Sequence, residues 1–417
     1  MDFENVVRNL NLKEFKDILA VDWDLSAAKN SWDIPVYLTK DFIFENGKLA
    51  ELDEDSIETL VATADKIIAN KDIVRLMRHE HYLLFEKKDK FVNGAEMPGL
   101  ENLPENLGPT FNMLLALSGF PKGKEYFSKM GLPDDVARGS FKDLSLWLKH
   151  FKQTKGFVGL TPRILGWTCN LLGGSLYRLG RLQFNTKPFR GKLYAFRNKE
   201  TNAVQAISAP DLVFNSSGQY DGIDGVYDKN AWTSVLTRDN STVTGNPISP
   251  LGNAVKETMT LDLSEWEEQL APGDSILDIH IPADGSMTIE SCAEAFRRAS
   301  EFFPKYFPEK TFKGFFCSSW FLDNQYDEIL PESSNIVKYQ REFYLFPTAV
   351  SGKESLWRVF GENGLKDGIE KAPRKSSMQK AVANFLEKGG RLRSGGAFFL
   401  IDDLPYGRQV YRKQAGA

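Results

Sequence analysis

The sequence predicts an α+β protein, a helical N-terminal domain followed by a mixed sheet flanked by helices. Three observations predict the class. Apolar residues recur at helical spacing through the first 150 positions, as in "SIETLVATADKIIANKDIVRLMRHEHYLLF" and "PTFNMLLALSGF". The period then shortens to two in "RLQFNT", "KLYAFRN" and "AVQAIS". Finally, "SILDIHI", "TIESCAEAFRRASEFF" and "KGFFCSSWFL" form a strand, a helix and a strand, which favours a right-handed crossover and parallel pairing.

A length of 417 residues suits two domains, expected at 1–132 and 133–417, with a loop-rich insertion near 209–255. Hydrophobic residues make up 42% and charged residues 26%, an ordinary globular balance. The net charge of −4 shows no basic excess and argues against a nucleic-acid surface. No apolar run is long enough to span a bilayer, and "MDFENVVRNLNLKEF" lacks the pattern of a signal peptide. Cys169, Cys292 and Cys317 lie far apart without CxxC spacing, which points to reduced thiols in the cytoplasm and not to a disulfide framework or zinc site. His79-Glu80-His81 is not HExxH, and its two histidines do not share a helix face. It reads as a solvated patch, and no metal is expected.

In "LPDDVARGSFKDLSLWLKHFKQTKG", Pro133 suits the first helical turn, Asp134 and Asp135 favour its positive end, and Gly156 suits its stop. In "TPRILGWTCNLLGGSLYRLG", Thr161 caps, Pro162 takes the first position and Gly180 is the expected end. The insertion carries the polar loop "NSSGQYDGIDGVYDKN" and a hairpin that turns at Arg238–Ser241. Further on, "YDEIL" and "ESLWRVFG" read as short helices, "IVKYQREFYLF" as a strand, "SMQKAVANFLEK" as a helix and "AFFLIDD" as a strand. "GGRLRSGG" reads as a helix stop followed by a hairpin-like turn, with Arg391 and Arg393 between paired glycines, where they can also assist with phosphates.

The chemistry gathers around "LDIHIPADGSMTIESCAEAFRRA". Alternation puts Leu277, Ile279 and Ile281 on one strand face and Asp278 and His280 on the other. Ile289, Cys292, Phe296, Ala299 and Phe303 form the apolar stripe of the helix, with Thr288 as its N-cap. Backbone N–H groups of Gly285 to Ile289 then make an anion site suited to a diphosphate, although Glu290 competes for the same positive end. In "FFCSSW", Cys317 and Ser319 face one way, Ser318 and Trp320 the other. A histidine, a thiol and two hydroxyls at adjacent strand ends can take a proton from an amine or hold an acyl group. The same residues also suit a strand-end histidine bonded to its neighbour and a buried, inert cysteine.

"ILDIHIPADGSMT", "CSSWFLDNQYDEILPESSNIVKYQREF" and "LYRLGRLQF" resemble the bacterial acyltransferase-domain proteins that pair a helical N-terminal domain with a GNAT-like C-terminal domain. "YDGIDGVYDKNAWTSVLTRDNSTVTGNPISPLG" and "PRKSSMQKAVANFLEKGGRLRSGGAFFL" extend the resemblance over most of the chain from about residue 110. The resemblance implies two parallel strands that splay to admit an acyl-CoA thioester, with the loop and helix N-terminus after the first strand holding the pyrophosphate. Carried over, the cofactor-binding residues are Ile281, Ala283, Gly285, Ser286, Met287 and Thr288. The superfamily loop runs Gln/Arg-x-x-Gly-x-Gly/Ala, whereas "PADGSMT" offers one glycine and neither Arg nor Gln.

The implied activity is acyl transfer from acyl-CoA, acetyl or longer, to a small-molecule amine or hydroxyl acceptor. His280 is the expected base, Asp278 orients it or holds a cationic amine, and Ser318 or Ser319 serves the acyl oxygen or the leaving thiolate. The alternatives are a non-catalytic GNAT-like ligand-binding module and a ping-pong acyltransferase or hydrolase with Cys317 as nucleophile. Asp221, Asp224 and Asp228 of the insertion are candidate acceptor contacts.

Overall fold

The structure is a computed structural model, and it describes residues 2–28, 33–87, 92–361 and 364–415. The chain divides into two compact units. One runs to Arg178 and takes in Pro282–Asp284, and the other holds Leu179–Ile281 and Gly285 onward.

The first unit is helical. Its centre is the helix Leu107–Ser118, in which Phe111, Met113, Leu114, Leu115 and Leu117 are all buried. Such a helix, apolar on every side, needs neighbours all round. The helix Asp134–Lys155 stops at Gly156, which is left-handed at φ 83°. Thr161 caps Pro162–Leu172 by accepting from the Ile164 N–H. That helix ends at Gly173, not Gly180. Gly174 adopts φ 70°, and a Cβ there would stand 2.0 Å from the Tyr126 ring, so the chain turns at this point. Gly180 instead turns the chain into a strand. Both helices, which the sequence places at the start of the second domain, group with the first unit.

His79-Glu80-His81 corrects the expectation of a solvated patch. It closes the helix Lys71–His81, and His79 and Glu80 are fully buried. His79 Nδ1 lies 2.8 Å from Ser26 Oγ, which also accepts from Arg75 Nη2 at 3.0 Å. Burial, helped by the Arg75 charge, pushes the His79 imidazole down to about 3. Burial holds the Glu80 carboxyl well above the usual carboxylate range. The helix is enclosed on more than its apolar face, which local charge does not reveal.

The strand β1 (Tyr177–Leu179) spans the division at Arg178, and the second unit carries β2 (Leu182–Pro188), β3 (Leu193–Asn198), β4 (Val204–Ser208), β5 (Val213–Phe214), β6 (Trp232–Thr233), β7 (Leu236–Arg238), β8 (Thr242–Gly245), β9 (Pro247–Ser249), β10 (Asn253–Ala254), β11 (Met259–Asp262), β12 (Trp266–Leu270), β13 (Ser275–His280), β14 (Gly314–Ser319), β15 (Tyr344–Ser351) and β16 (Arg393–Leu400). They form a six-stranded sheet β1-β2-β13-β14-β16-β15, a five-stranded sheet β10-β9-β4-β3-β12 and two smaller ribbons. The hairpin β7–β8 turns where the sequence places it. The helix Ile289–Tyr306 covers one face of the large sheet. Phe296 sits 4.4 Å from the Phe315 ring and 4.5 Å from Tyr406, and Cys292, Ala299 and Phe303 are buried beside it. "IVKYQREFYLF" is half helix. Ser334 caps Asn335–Gln340, and β15 begins only at Tyr344. Among the described residues, no helix is long and apolar enough to cross a membrane.

Candidate functional site in the large sheet

The sheet opens in its middle. β13 stays antiparallel to β2 from Ser275↔Pro188 to His280↔Gln183. β14 stays antiparallel to β16 from Gly314↔Leu400 to Ser319↔Gly395. The parallel pairing of β13 with β14 covers only Leu277↔Phe315 and Asp278↔Phe316. Past that rung each strand keeps its outer neighbour and loses its inner one. Main-chain polar groups facing such a gap need partners, and a bound molecule can supply them. Two glycines let the other side of β14 close tightly. A Cβ at Gly395 would lie 2.0 Å from the Leu322 carbonyl oxygen, and one at Gly396 would lie 2.4 Å from the Phe346 ring.

Beside the gap is a polar face. Lys187 Nζ donates to Asp278 Oδ2 at 2.7 Å, and His280 Nε2 stands 3.3 Å from the same oxygen and 3.3 Å from Asn185 Oδ1. Burial acts to raise the Asp278 pKa, but the hydrogen bonds and charges of His280 and Lys187 outweigh it and hold the carboxyl below its usual range. The His280 side chain keeps 26% of its surface exposed. Asp278 and Ser318 open into one cleft of about 440 Å³, walled by Ile276, Phe316 and Phe346.

The other candidates lie elsewhere. The register sets Cys317 on the opposite face from Asp278, His280 and Ser318, buried under the helix. Burial there pushes its thiol up, and the Asp278 charge adds to this. Ser319 caps the turn that follows by accepting from the Phe321 N–H at 3.2 Å. In the loop, Ala283 is exposed and groups with the first unit, where Arg178 Nη2 donates to both oxygens of Asp284 at 2.9 Å. Ile281 is half-buried, Gly285 is left-handed at φ 76°, and Met287 is buried. Ser286 Oγ accepts from Asn335, and Thr288 caps the helix through the Ser291 N–H.

Residues 176–399 match the family described as the GNAT-like C-terminal domain, and residues 46–174 match the N-acyltransferase N-terminal domain. The chain belongs to this GNAT-like family. No curated protein matches its sequence. Among solved structures, the chain is similar to an acyltransferase in complex with decanoyl-CoA and teicoplanin, with 21% identity, a TM-score of 0.66, and coverage of 96% of this chain and 100% of the other. The same figures hold for an acyltransferase in complex with CoA and 10C-teicoplanin. A mutant acyltransferase in complex with octanoyl-CoA matches at 20% identity and a TM-score of 0.66, over 96% of this chain and 99% of that one. At these identities the likeness establishes the fold.

Within the GNAT-like domain, three residues of the site are not singled out by the sequence. Asn185 and Lys187 flank Asp278 and His280 from β2, and the alternation of Gln183, Asn185 and Lys187 with Leu182, Phe184 and Thr186 carried the signal. Arg181 lies in the turn just before β2, and a Cβ on Gly285 would meet its side chain at 3.6 Å, so a cation stands beside the helix N-terminus. The insertion's acids bind their own surroundings. Asp221 and Asp228 accept loop N–H groups at 2.8 Å, and Ser351 donates to Asp224 at 2.9 Å. Hydrogen bonds from Ser216 and Asn230 hold Asp228 down at about 2. Tyr220 from the insertion reaches the wall of the Asp278 cleft.

Proposed function

We propose that this chain is an acyl-CoA-dependent N-acyltransferase of the cytoplasm that passes an acyl group directly to a small-molecule amine. The observation that carries this reading is the parting of β13 from β14 beside Asp278, His280 and Ser318. The acyl-CoA complexes of the similar structures agree with it and favour medium-length acyl groups. In this scheme the thioester lies in the gap. The pyrophosphate meets the N–H groups of Gly285–Thr288, and Arg181 supplies the cation that the loop lacks.

The amine nitrogen attacks the thioester carbonyl, forming the C–N bond. His280 takes the amine proton on the ring nitrogen turned away from Asp278 and Asn185, while the oxygens of those two accept from Nε2–H and steady the ring. Ser318 donates to the carbonyl oxygen as it gains charge. The C–S bond then breaks, and the CoA thiolate leaves and receives the proton that His280 took from the amine. No protein nucleophile is needed, in keeping with the buried thiol of Cys317 on the far face.

The test is calorimetry with acetyl-, octanoyl- and decanoyl-CoA, joined to an assay of free CoA released in the presence of amines. Binding heat and amine-dependent CoA release are expected. If saturating acyl-CoA gives neither heat nor a shift in Tm, the non-catalytic binding module replaces the enzyme.

A further inference from the structure

We infer that the acceptor is an amine that also bears a carboxylate, an amino acid or similar zwitterion with an apolar side chain. This rests on the proposed acyl transfer at His280. The cleft that Asp278 and Ser318 open into has Lys187, Arg190 and Lys192 as its cations, against the single acid Asp278. Its lining includes the Lys187–Asp278 pair, opposite charges 2.7 Å apart. An ammonium and a carboxylate on one small molecule match that pair with the signs reversed, the ammonium on Asp278 beside the base and the carboxylate on the cations. The walls at Ile276, Phe316, Phe346 and Val350 suit an apolar side chain.

The cations sit on a fixed segment. Between Lys187 and Arg190, Phe189 is buried and packs on the rings of Phe316 at 5.6 Å and Phe346 at 6.2 Å. Its N–H donates to the Asp274 carbonyl at 2.7 Å, and its own carbonyl accepts from Gly273 at 2.9 Å. Gly191 lies against the same ring, where a Cβ would come within 2.3 Å, and the Lys192 carbonyl accepts from Ala209 at 3.0 Å. Arg190 and Lys192 are therefore exposed cations on an anchored turn. They stand by the start of β13, where Pro188 pairs with Ser275, while the helix N-terminus follows its end. A strand of this length spans roughly 17 Å. The rim thus serves the acceptor and not the phosphates of the donor.

The experiment uses the full chain, octanoyl-CoA as donor, and three matched acceptors: phenylalanine, phenylalanine amide and phenethylamine. The kcat/KM for phenylalanine is expected to exceed the other two by on the order of tenfold, the scale of one charge-assisted contact. The double variant Arg190→Ala/Lys192→Ala should lose that preference with the Kd for octanoyl-CoA unchanged, and Arg190→Lys/Lys192→Arg should restore it. Equal or better use of the neutral-tailed amines overturns the inference, as does octanoyl-CoA binding without transfer to any of the three. Loss of octanoyl-CoA affinity in the double variant would assign the rim to the donor. Failure of the unaltered chain to bind octanoyl-CoA would instead remove the acyl-transfer reading itself.

Discussion

Asp278 and Phe316 form the last rung between β13 and β14, and the carboxylate on that rung is held by Lys187 from β2. The proposed catalytic face and the gap in the sheet therefore begin at one residue. This coupling makes the charge of Asp278 the quantity to perturb first.

Replacing Lys187 with methionine removes one of the partners that hold Asp278 below its usual range. The carboxyl pKa should rise, since burial is left less opposed. The ionised form present at neutral pH is then lost sooner as pH falls. The acid limb of the kcat/KM profile should move to higher pH, with a larger deficit at pH 5 than at pH 8. A profile with an unmoved acid limb would separate Asp278 from the reaction.

His280→Ala should lower kcat on the order of a hundredfold, as expected for loss of a general base. Cys317→Ala should keep most of kcat and cost about 1–2 kcal/mol of stability, because it empties a packed site. Mass spectrometry of the enzyme during turnover should find no acyl adduct on Cys317. Such an adduct would restore the ping-pong scheme.

Arg181→Gln is expected to weaken CoA and acyl-CoA binding by on the order of tenfold, the worth of one charge-assisted contact. Because the contact is made equally in the ground and transition states, kcat should change little. Pantetheine, which lacks the pyrophosphate, should bind both forms alike. An equal loss for pantetheine would show a packing role for Arg181 instead.

Glu80→Gln should stabilise the helical unit at neutral pH. The buried carboxyl is protonated in the fold and ionises on unfolding, so the native chain loses stability as pH rises above about 4.5, the unshifted value. The slope from this group is at most about 1.4 kcal/mol per pH unit, and it ends where the folded carboxyl itself ionises. Denaturant midpoints from pH 4 to 8 should show a flatter dependence in the glutamine variant. Parallel curves for the two proteins would mean that Glu80 is ionised or hydrated in the native state.

Much of the candidate site was legible because strand parity is local. Alternation alone put Asp278 with His280 and separated Ser318 from Cys317. It could not say which of the β14 pair shared the face of His280, since that depends on the register Asp278↔Phe316. Lys187 and Asn185 were hidden for the same reason, because a neighbouring strand enters only through pairing. The N-terminal helices followed from periodicity. The burial of His79 and Glu80 did not, because charge suggests solvent and only packing from several helices overrules it. "IVKYQREFYLF" misled through its apolar alternation, while the cap at Ser334 started a helix that a two-residue period does not predict.

The short rung between β13 and β14 bears on how such a protein diversifies. A molecule with amide groups can lie in the gap as a surrogate strand, read by backbone and indifferent to side-chain identity. The opening spans only the last residues of the two strands, too little edge to recruit a strand from a neighbouring copy. Recognition of the donor is then inherited with the backbone, while the side chains around the cleft remain open to change. On the proposed reading, descendants of this chain can switch acceptors by substitutions at the rim and walls, without rebuilding the gap assigned to the thioester.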